Sequence, residues 1–212
     1  EASRQALIRL ATLGVTGFDT PGTTLAIEDT KTVLKKLQAH LQQYAGELKN
    51  SRKEEILSTL NTHLTTGIEQ AEKQDFNSFD RLSFINTVIN PLYKEILNLH
   101  LSLGYETIEE VTRYDPAVNY RSENIFDADF LNKFYYASIT NNDRFDVTAQ
   151  LGKLLFYDPI LSNTNKMACA SCHSPEKAFT DGMKTSLSNT GVALKRNAMT
   201  LNYATYASGF FH

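Results

Sequence analysis

Seven apolar residues, Leu82, Ile85, Ile89, Leu92, Ile96, Leu99 and Leu103, recur at alternating steps of three and four. Only an α-helix brings such positions onto one side, so this segment predicts a helix with one face turned to a core. Pro91 falls inside the stripe. It lacks an N–H and crowds the preceding turn, which predicts a kink or a division there. Gly104 follows as the residue that closes the helix in a left-handed conformation.

Three more segments share the rhythm. Residues 1–13 place Ala6, Leu7, Leu10 and Ala11 on one face, and Gly14, Gly17 and the Asp19-Thr20-Pro21-Gly22 turn end them. Residues 25–48 carry Leu34, Leu37, Leu41, Tyr44 and Leu48 on one stripe. Ser51-Arg52-Lys53-Glu54 has the spacing of a capping box and opens a helix to Lys73, with Ile56, Leu57, Leu60, Leu64 and Ile68 inward. Short connections between such helices make neighbours antiparallel, so the fold class is all-α, beginning with an antiparallel helical bundle. The longest stripe would also suit a coiled coil between chains. Three other amphipathic helices lie beside it in sequence, which makes packing within one chain the simpler arrangement.

Beyond Tyr105 the periodicity fades into an aromatic connector containing Tyr114-Asp115-Pro116, Asn119-Tyr120 and Phe134-Tyr135-Tyr136, with short helical turns, one of them after Asp127 or Asp129. A boundary is expected near 139–142, giving a helical bundle domain with its connector at 1–140 and a second domain at 141–212. The second domain opens with a helix from an Asp143 N-cap to about Phe156, carrying Phe145, Leu151, Leu154 and Leu155, and stops at Asp158-Pro159. Residues 161–191 are rich in Gly, Asn, Ser and Thr. So long a loop in a compact domain needs something to organise it.

The formal net charge of −3 argues against nucleic-acid binding. Residues 141–212 are mildly basic, with 7 Lys/Arg against 5 Asp/Glu. No apolar run is long enough to cross a bilayer, and Glu1-Ala2-Ser3-Arg4 does not open a signal peptide. The chain stops at Gly209-Phe210-Phe211-His212 without a cap or polar tail, as expected of a piece of something longer.

The only two cysteines stand in Cys169-Ala170-Ser171-Cys172-His173. Two thiols spaced C-x-x-C on one turn can each add to a vinyl group of haem, and the following imidazole then meets the iron, so the pattern is that of covalent haem c attachment. A thioredoxin-type redox pair would need a βαβ context that this chain does not offer. A structural zinc site would need two further ligands, whereas the other histidines are scattered at 40, 63, 100 and 212. A haem would also organise the loop. Covalent haem is attached outside the cytoplasm in bacteria, which predicts a periplasmic protein whose export signal is absent from this chain.

The flanking residues carry a resemblance. Leu151 through Pro159, Leu161-Ser162, the Cys169–His173 motif, Phe179-Thr180-Asp181-Gly182, Arg196-Asn197-Ala198-Met199-Thr200 and Gly209-Phe210-Phe211 come in the order and spacing of the opening of bacterial di-haem cytochrome c peroxidases. The match covers about 151–212, the incomplete N-terminal, peroxidatic haem domain of that family, with a cytochrome c-like fold; residues 1–140 resemble a helical extension that some members carry ahead of it. The resemblance implies a haem-dependent oxidoreductase reducing hydrogen peroxide to water with electrons from a small donor such as a cytochrome c. It makes Cys169 and Cys172 the attachment points and His173 the proximal iron ligand. Asn189 falls where many members place a distal histidine, implying an open or water-held sixth position; Met183 and Met199 compete for it, or simply pack. Asn197 matches a calcium-binding position and reads equally as a loop cap. Lys195 and Arg196 suit the haem propionates, or form a solvated surface pair. Phe156, Tyr157, Phe179 and Phe210 would wall the pocket or pack as core. The family's second C-x-x-C-H and its acid and amide groups for O–O cleavage do not occur in this chain, so no catalytic residue is assigned within it and this stretch alone is expected to be a poor peroxidase. A homodimer is compatible with the sequence. The alternatives are a mono-haem electron carrier and a partner-docking helical module whose haem segment is vestigial.

Overall fold

A computed structural model describes residues 1–44, 51–108, 116–137 and 144–206. The described residues are helical, with isolated β-bridges and no β-strand, so the chain is all-α as expected. They form two compact units, Glu1–Asn132 and Lys133–His212. The division falls ahead of the 139–142 segment, which lies outside the described residues, and it puts the Phe134–Tyr136 aromatics in the second unit.

In the first unit, α1 spans Ala2–Arg9, α2 Ala26–Gln42, α3 Ser51–Lys73, α4 Arg81–Phe84 and α5 Asn90–Ser102. The far end of the second expected helix, with Leu48, lies outside the described residues, as does the Ser51 side chain of the expected capping box. Lys35 reaches Glu72 while Gln38 reaches Thr65, so α2 and α3 run antiparallel. Arg4 lies over Tyr93 while Glu1 approaches His100, so α1 runs antiparallel to α5. The expected stripes supply the core: Leu7, Leu34, Leu60, Leu64 and Leu92 are fully buried.

The longest stripe needs a correction. Leu82 is 63% exposed, and Phe84 and Val88 are inside instead. The cause is a π-helical turn at Ile85–Ile89, closed by a bond from the Asn90 N–H to the Ile85 carbonyl. The extra residue in that turn rotates everything before it out of phase with α5. Pro91 does not break the run: the backbone stays helical from Arg81 to Ser102, and the proline follows directly on the π turn, at the start of α5. Asp80 caps α4 by accepting from the Ser83 N–H at 3.0 Å. Gly104 closes α5 at φ +77°. A second π turn, Leu10–Gly14, extends α1 and buries Val15.

Residues 116–132 are more than a connector. Val118 and Leu131 form an antiparallel bridge, and Phe130 enters the core edge-on to Tyr93, with ring centroids 6.0 Å apart. After Asp127, where a helical turn was expected, stands a single hydrogen-bonded turn, the Phe130 N–H donating to the Asp127 carbonyl at 3.0 Å.

Among the described residues the second unit contains α6 (Lys133–Ala137) and α7 (Phe145–Tyr157), followed by four short 3₁₀ turns. The residue preceding α7 is Arg144, which makes no side-chain cap; the expected Asp143 cap lies outside the described residues. The helix ends as expected at Asp158, whose carboxylate accepts from the Ile160 N–H at 2.9 Å. Phe134 packs edge-on to Phe145 at 4.8 Å, and Tyr136 to Tyr206 at 5.6 Å. No residue of α7 is buried: Val147, Leu151 and Leu154, one helical stripe, are 70%, 54% and 70% exposed. Among the described residues no helix is long and apolar enough to cross a membrane.

Candidate functional site

Cys169–Ser171 form a 3₁₀ turn that continues through His173, whose N–H donates to the Cys169 carbonyl at 3.0 Å. The turn is clamped at its start. Ser171 N–H donates to the Ala168 carbonyl at 3.0 Å, and the Ala168 N–H donates back to Ser171 Oγ at 3.1 Å. Both cysteines are free thiols, Cys169 exposed and Cys172 half-buried.

His173 is held through its ring. Its Nδ1 lies 2.9 Å from the Phe179 carbonyl oxygen. A carbonyl can only accept, so Nδ1 carries a proton, and in the neutral ring the lone pair then lies on Nε2. Phe179 and Ala178 both have positive φ, +59° and +53°. Such backbone costs about 1–3 kcal/mol per residue and persists only where its surroundings over-determine it. Here the Phe179 N–H donates to the Ser174 carbonyl at 2.8 Å, Ser174 N–H to the Thr180 carbonyl at 3.0 Å, Lys177 Nζ to the Asp181 carbonyl at 2.8 Å, and Thr200 Oγ1 to the Ala178 carbonyl at 2.5 Å.

The nearby acids are stabilised as carboxylates. The Ser186 hydroxyl and the Met183 N–H hold the Asp181 carboxyl below its ordinary range, and the Ser174 hydroxyl does the same to Glu176. Among the described residues no group of three or more His, Cys, Asp and Glu could hold a metal ion. Two free thiols on one turn, a histidine with Nε2 available, and apolar side chains turned outward on α7 fit a covalently held haem.

The other expected residues are placed differently. Phe156 and Phe179 meet edge-on at 6.0 Å, and Phe156 and Tyr157 at 5.0 Å, so three of the four wall residues come together; Phe210 lies outside the described residues. Lys195 and Arg196 are exposed, on a segment whose backbone pairs with Ser186. Asn197 is exposed, and Asn189 sits in the exposed turn between Ser188 and Gly191. Met183 and Met199 are 48% and 77% exposed. The Phe179 carbonyl and Thr200 were not singled out by chemistry in the sequence. The first is a backbone group, and the second is an ordinary threonine within a recognised motif.

Residues 146–212 match the family model of the di-haem cytochrome c peroxidases. Over 52 residues the chain is 50% identical to the cytochrome-c peroxidase IdrP2 of Denitromonas iodatirespirans, covering 24% of this chain and 14% of that protein. Over 72 residues it is 40% identical to the methylamine utilization protein MauG of Paracoccus denitrificans (strain Pd 1222), covering 31% and 19%. The MauG of Methylophilus methylotrophus is 43% identical over 53 residues, covering 25% and 16%. The chain thus spans less than a fifth of these relatives' own length. No solved structure matches it.

Proposed function

We propose, from the premise that residues 146–212 belong to the di-haem cytochrome c peroxidase family, that this chain is part of a periplasmic enzyme reducing hydrogen peroxide to water. The observation that carries the reading is the pairing of His173 Nδ1 with the Phe179 carbonyl, beside two free thiols on one turn. It leaves Nε2 as the iron ligand and both sulfurs as attachment points, with Cys169 and Cys172 forming thioether bonds. Cys169, Cys172 and His173 would hold a haem, which would supply an iron able to change oxidation state.

The chain's own part is to hold and orient. His173 fixes the proximal side, with its ring aligned by Phe179. Phe156, Tyr157 and Phe179 exclude water from the ring edge. Lys195 and Arg196 pair with the propionates, and Asn189, having no imidazole, leaves the distal side open to peroxide. Asn197 contributes one oxygen to a calcium ion shared with the rest of the protein. A helical bundle in the first unit precedes the haem domain, electrons come from a small donor protein such as a cytochrome c, and the assembly is a homodimer. The exposure of Met199 favours a second reading, an electron carrier in which a thioether takes the sixth position and raises the potential.

The test is to make the protein with haem-maturation machinery and record its absorption before and after acid-acetone extraction. A Soret band retained by the protein, and lost in Cys169→Ser and Cys172→Ser, supports attachment; haem that extracts refutes it. Peroxide consumption by the full-length protein with reduced cytochrome c should collapse in His173→Ala. A methionine-ligated, low-spin ferric spectrum would favour the carrier instead.

A further inference from the structure

The haem reading assigns His173 and the cysteines but leaves open what holds the Phe179 carbonyl against His173. Most bonds around that carbonyl are local, between residues 174 and 181. One comes from farther along the chain: Thr200 Oγ1 donates to the Ala178 carbonyl at 2.5 Å, across 22 positions of sequence. Its hydroxyl is itself fixed, because the oxygen also accepts the Asn202 N–H at 3.1 Å. With the hydrogen given to Ala178 and a lone pair occupied by Asn202, the hydroxyl is held in one orientation.

The Ala178 carbonyl belongs to the peptide that joins the two positive-φ residues. Rotation of that peptide changes φ at Phe179, so it is the motion that would relieve the strain there and turn the Phe179 carbonyl away from the imidazole; the Phe179 N–H bond to the Ser174 carbonyl holds one end of the peptide and Thr200 the other. A hydrogen bond on the Ala178 oxygen opposes that rotation at its pivot.

We propose that Thr200 is a positioning residue. Its hydroxyl locks the Ala178–Phe179 peptide, which aims the Phe179 carbonyl at His173 Nδ1 and thereby sets both the tautomer and the donor strength of the imidazole. A hydrogen bond accepted from Nδ1–H raises the basicity of the opposite nitrogen, and a more basic axial ligand favours ferric iron. Losing the lock therefore raises the haem potential. The potential effect rests on the haem reading; the tautomer effect does not.

Two measurements on wild type, Thr200→Val and Thr200→Ser separate these. Nitrogen-15 NMR of the haem-free chain should show His173 as the Nδ1–H tautomer in wild type and in T200S, and a mixture with the Nε2–H tautomer in T200V. In haem-loaded protein, the midpoint potential should move to a more positive value in T200V and stay at the wild-type value in T200S. Valine keeps the shape and removes only the hydroxyl, so T200V with wild-type tautomer and potential overturns the proposal. A T200S that behaves like T200V also overturns it, because serine restores the hydroxyl. If the tautomer shifts in T200V but wild type never attaches haem, the haem reading fails and the positioning role stands.

Discussion

Arg4 offers the sharpest test of how the first unit is held together. It is fully buried, its guanidinium donates to the carbonyls of Tyr120 and Ser122, the latter at 2.6 Å, and it lies 3.8 Å above the Tyr93 ring. The residue thus ties α1 to α5 and to the 116–132 segment at once. A hydrogen bond to a charged group contributes about 1.5–3 kcal/mol, and a desolvated cation–π contact about 2 kcal/mol. Arg4→Met keeps most of the stem volume but supplies no donor, so two carbonyls lose their partner while packing is largely kept. Glu1 Oε2, 3.6 Å away and largely buried, would lose its countercharge as well, so the expected loss is about 3–5 kcal/mol, the range for breaking a buried charged pair. Arg4→Lys should lie between, because one ammonium cannot serve both carbonyls as the planar fork does. Urea unfolding followed by near-ultraviolet circular dichroism of the tyrosines reads this, since Arg4 sits on Tyr93. A loss below about 1 kcal/mol in R4M, the net value of one ordinary hydrogen bond, would refute the reasoning and mean that water serves those carbonyls.

Gly67→Ala should destabilise the first unit although alanine is the better helix former. The new Cβ would lie 2.6 Å from Val88 Cγ1 and 3.0 Å from Leu34 Cδ1, and overpacking of about 1–3 kcal/mol exceeds the propensity gain of about 1 kcal/mol; the urea midpoint should fall. Gly152→Ala meets nothing within 4 Å in α7, so the haem-free chain should gain about 0.5–1 kcal/mol, read as higher helicity by far-ultraviolet circular dichroism. Asp181 has a lowered pKa, so its contribution is present above the unfolded carboxylate range and is lost as pH falls through the folded value. Acid titration should therefore loosen the loop at Asp181–Ser186 below the ordinary Asp range, seen as faster amide exchange at Met183, and Asp181→Asn should abolish the pH dependence.

Helix existence was legible because the stripes of α1, α2 and α3 find their partners within the same unit. The phase of the longest stripe was not. Leu82 and Leu92 fit one unbroken pattern by count, and only the π turn between them decides that one is exposed and the other buried. Arg4 was illegible for another reason: an arginine in a first helical turn reads as surface unless the carbonyls that receive it, 116 and 118 positions away, are known. At the site, Cys169, Cys172 and His173 were legible because their chemistry lies in side-chain identity. The Phe179 carbonyl carries none of that information, since any residue presents the same oxygen and only the positive φ at Ala178 and Phe179 aims it.

The two units put the same pattern to opposite uses. Leu60 and Leu64 on α3 are fully buried, whereas Leu151 and Leu154 on α7, with a similar spacing, are 54% and 70% exposed. Periodicity reports that a face is apolar; it does not report what covers it. In the second unit the described loops are held by hydrogen bonds, each worth about 0.5–1.5 kcal/mol net. Full burial of Val147, Leu151 and Leu154 would contribute about 1.5–3 kcal/mol for each, so covering that stripe outweighs several of those bonds together. In the haem reading this links attachment to stability: whatever covers the apolar side chains in the folded state and not in the unfolded one stabilises the loops that present Cys169, Cys172 and His173. The histidine itself needs no such help. Its ring is oriented by a carbonyl and a strained turn that the chain's own hydrogen bonds already hold, so its orientation does not wait on whatever covers the α7 stripe.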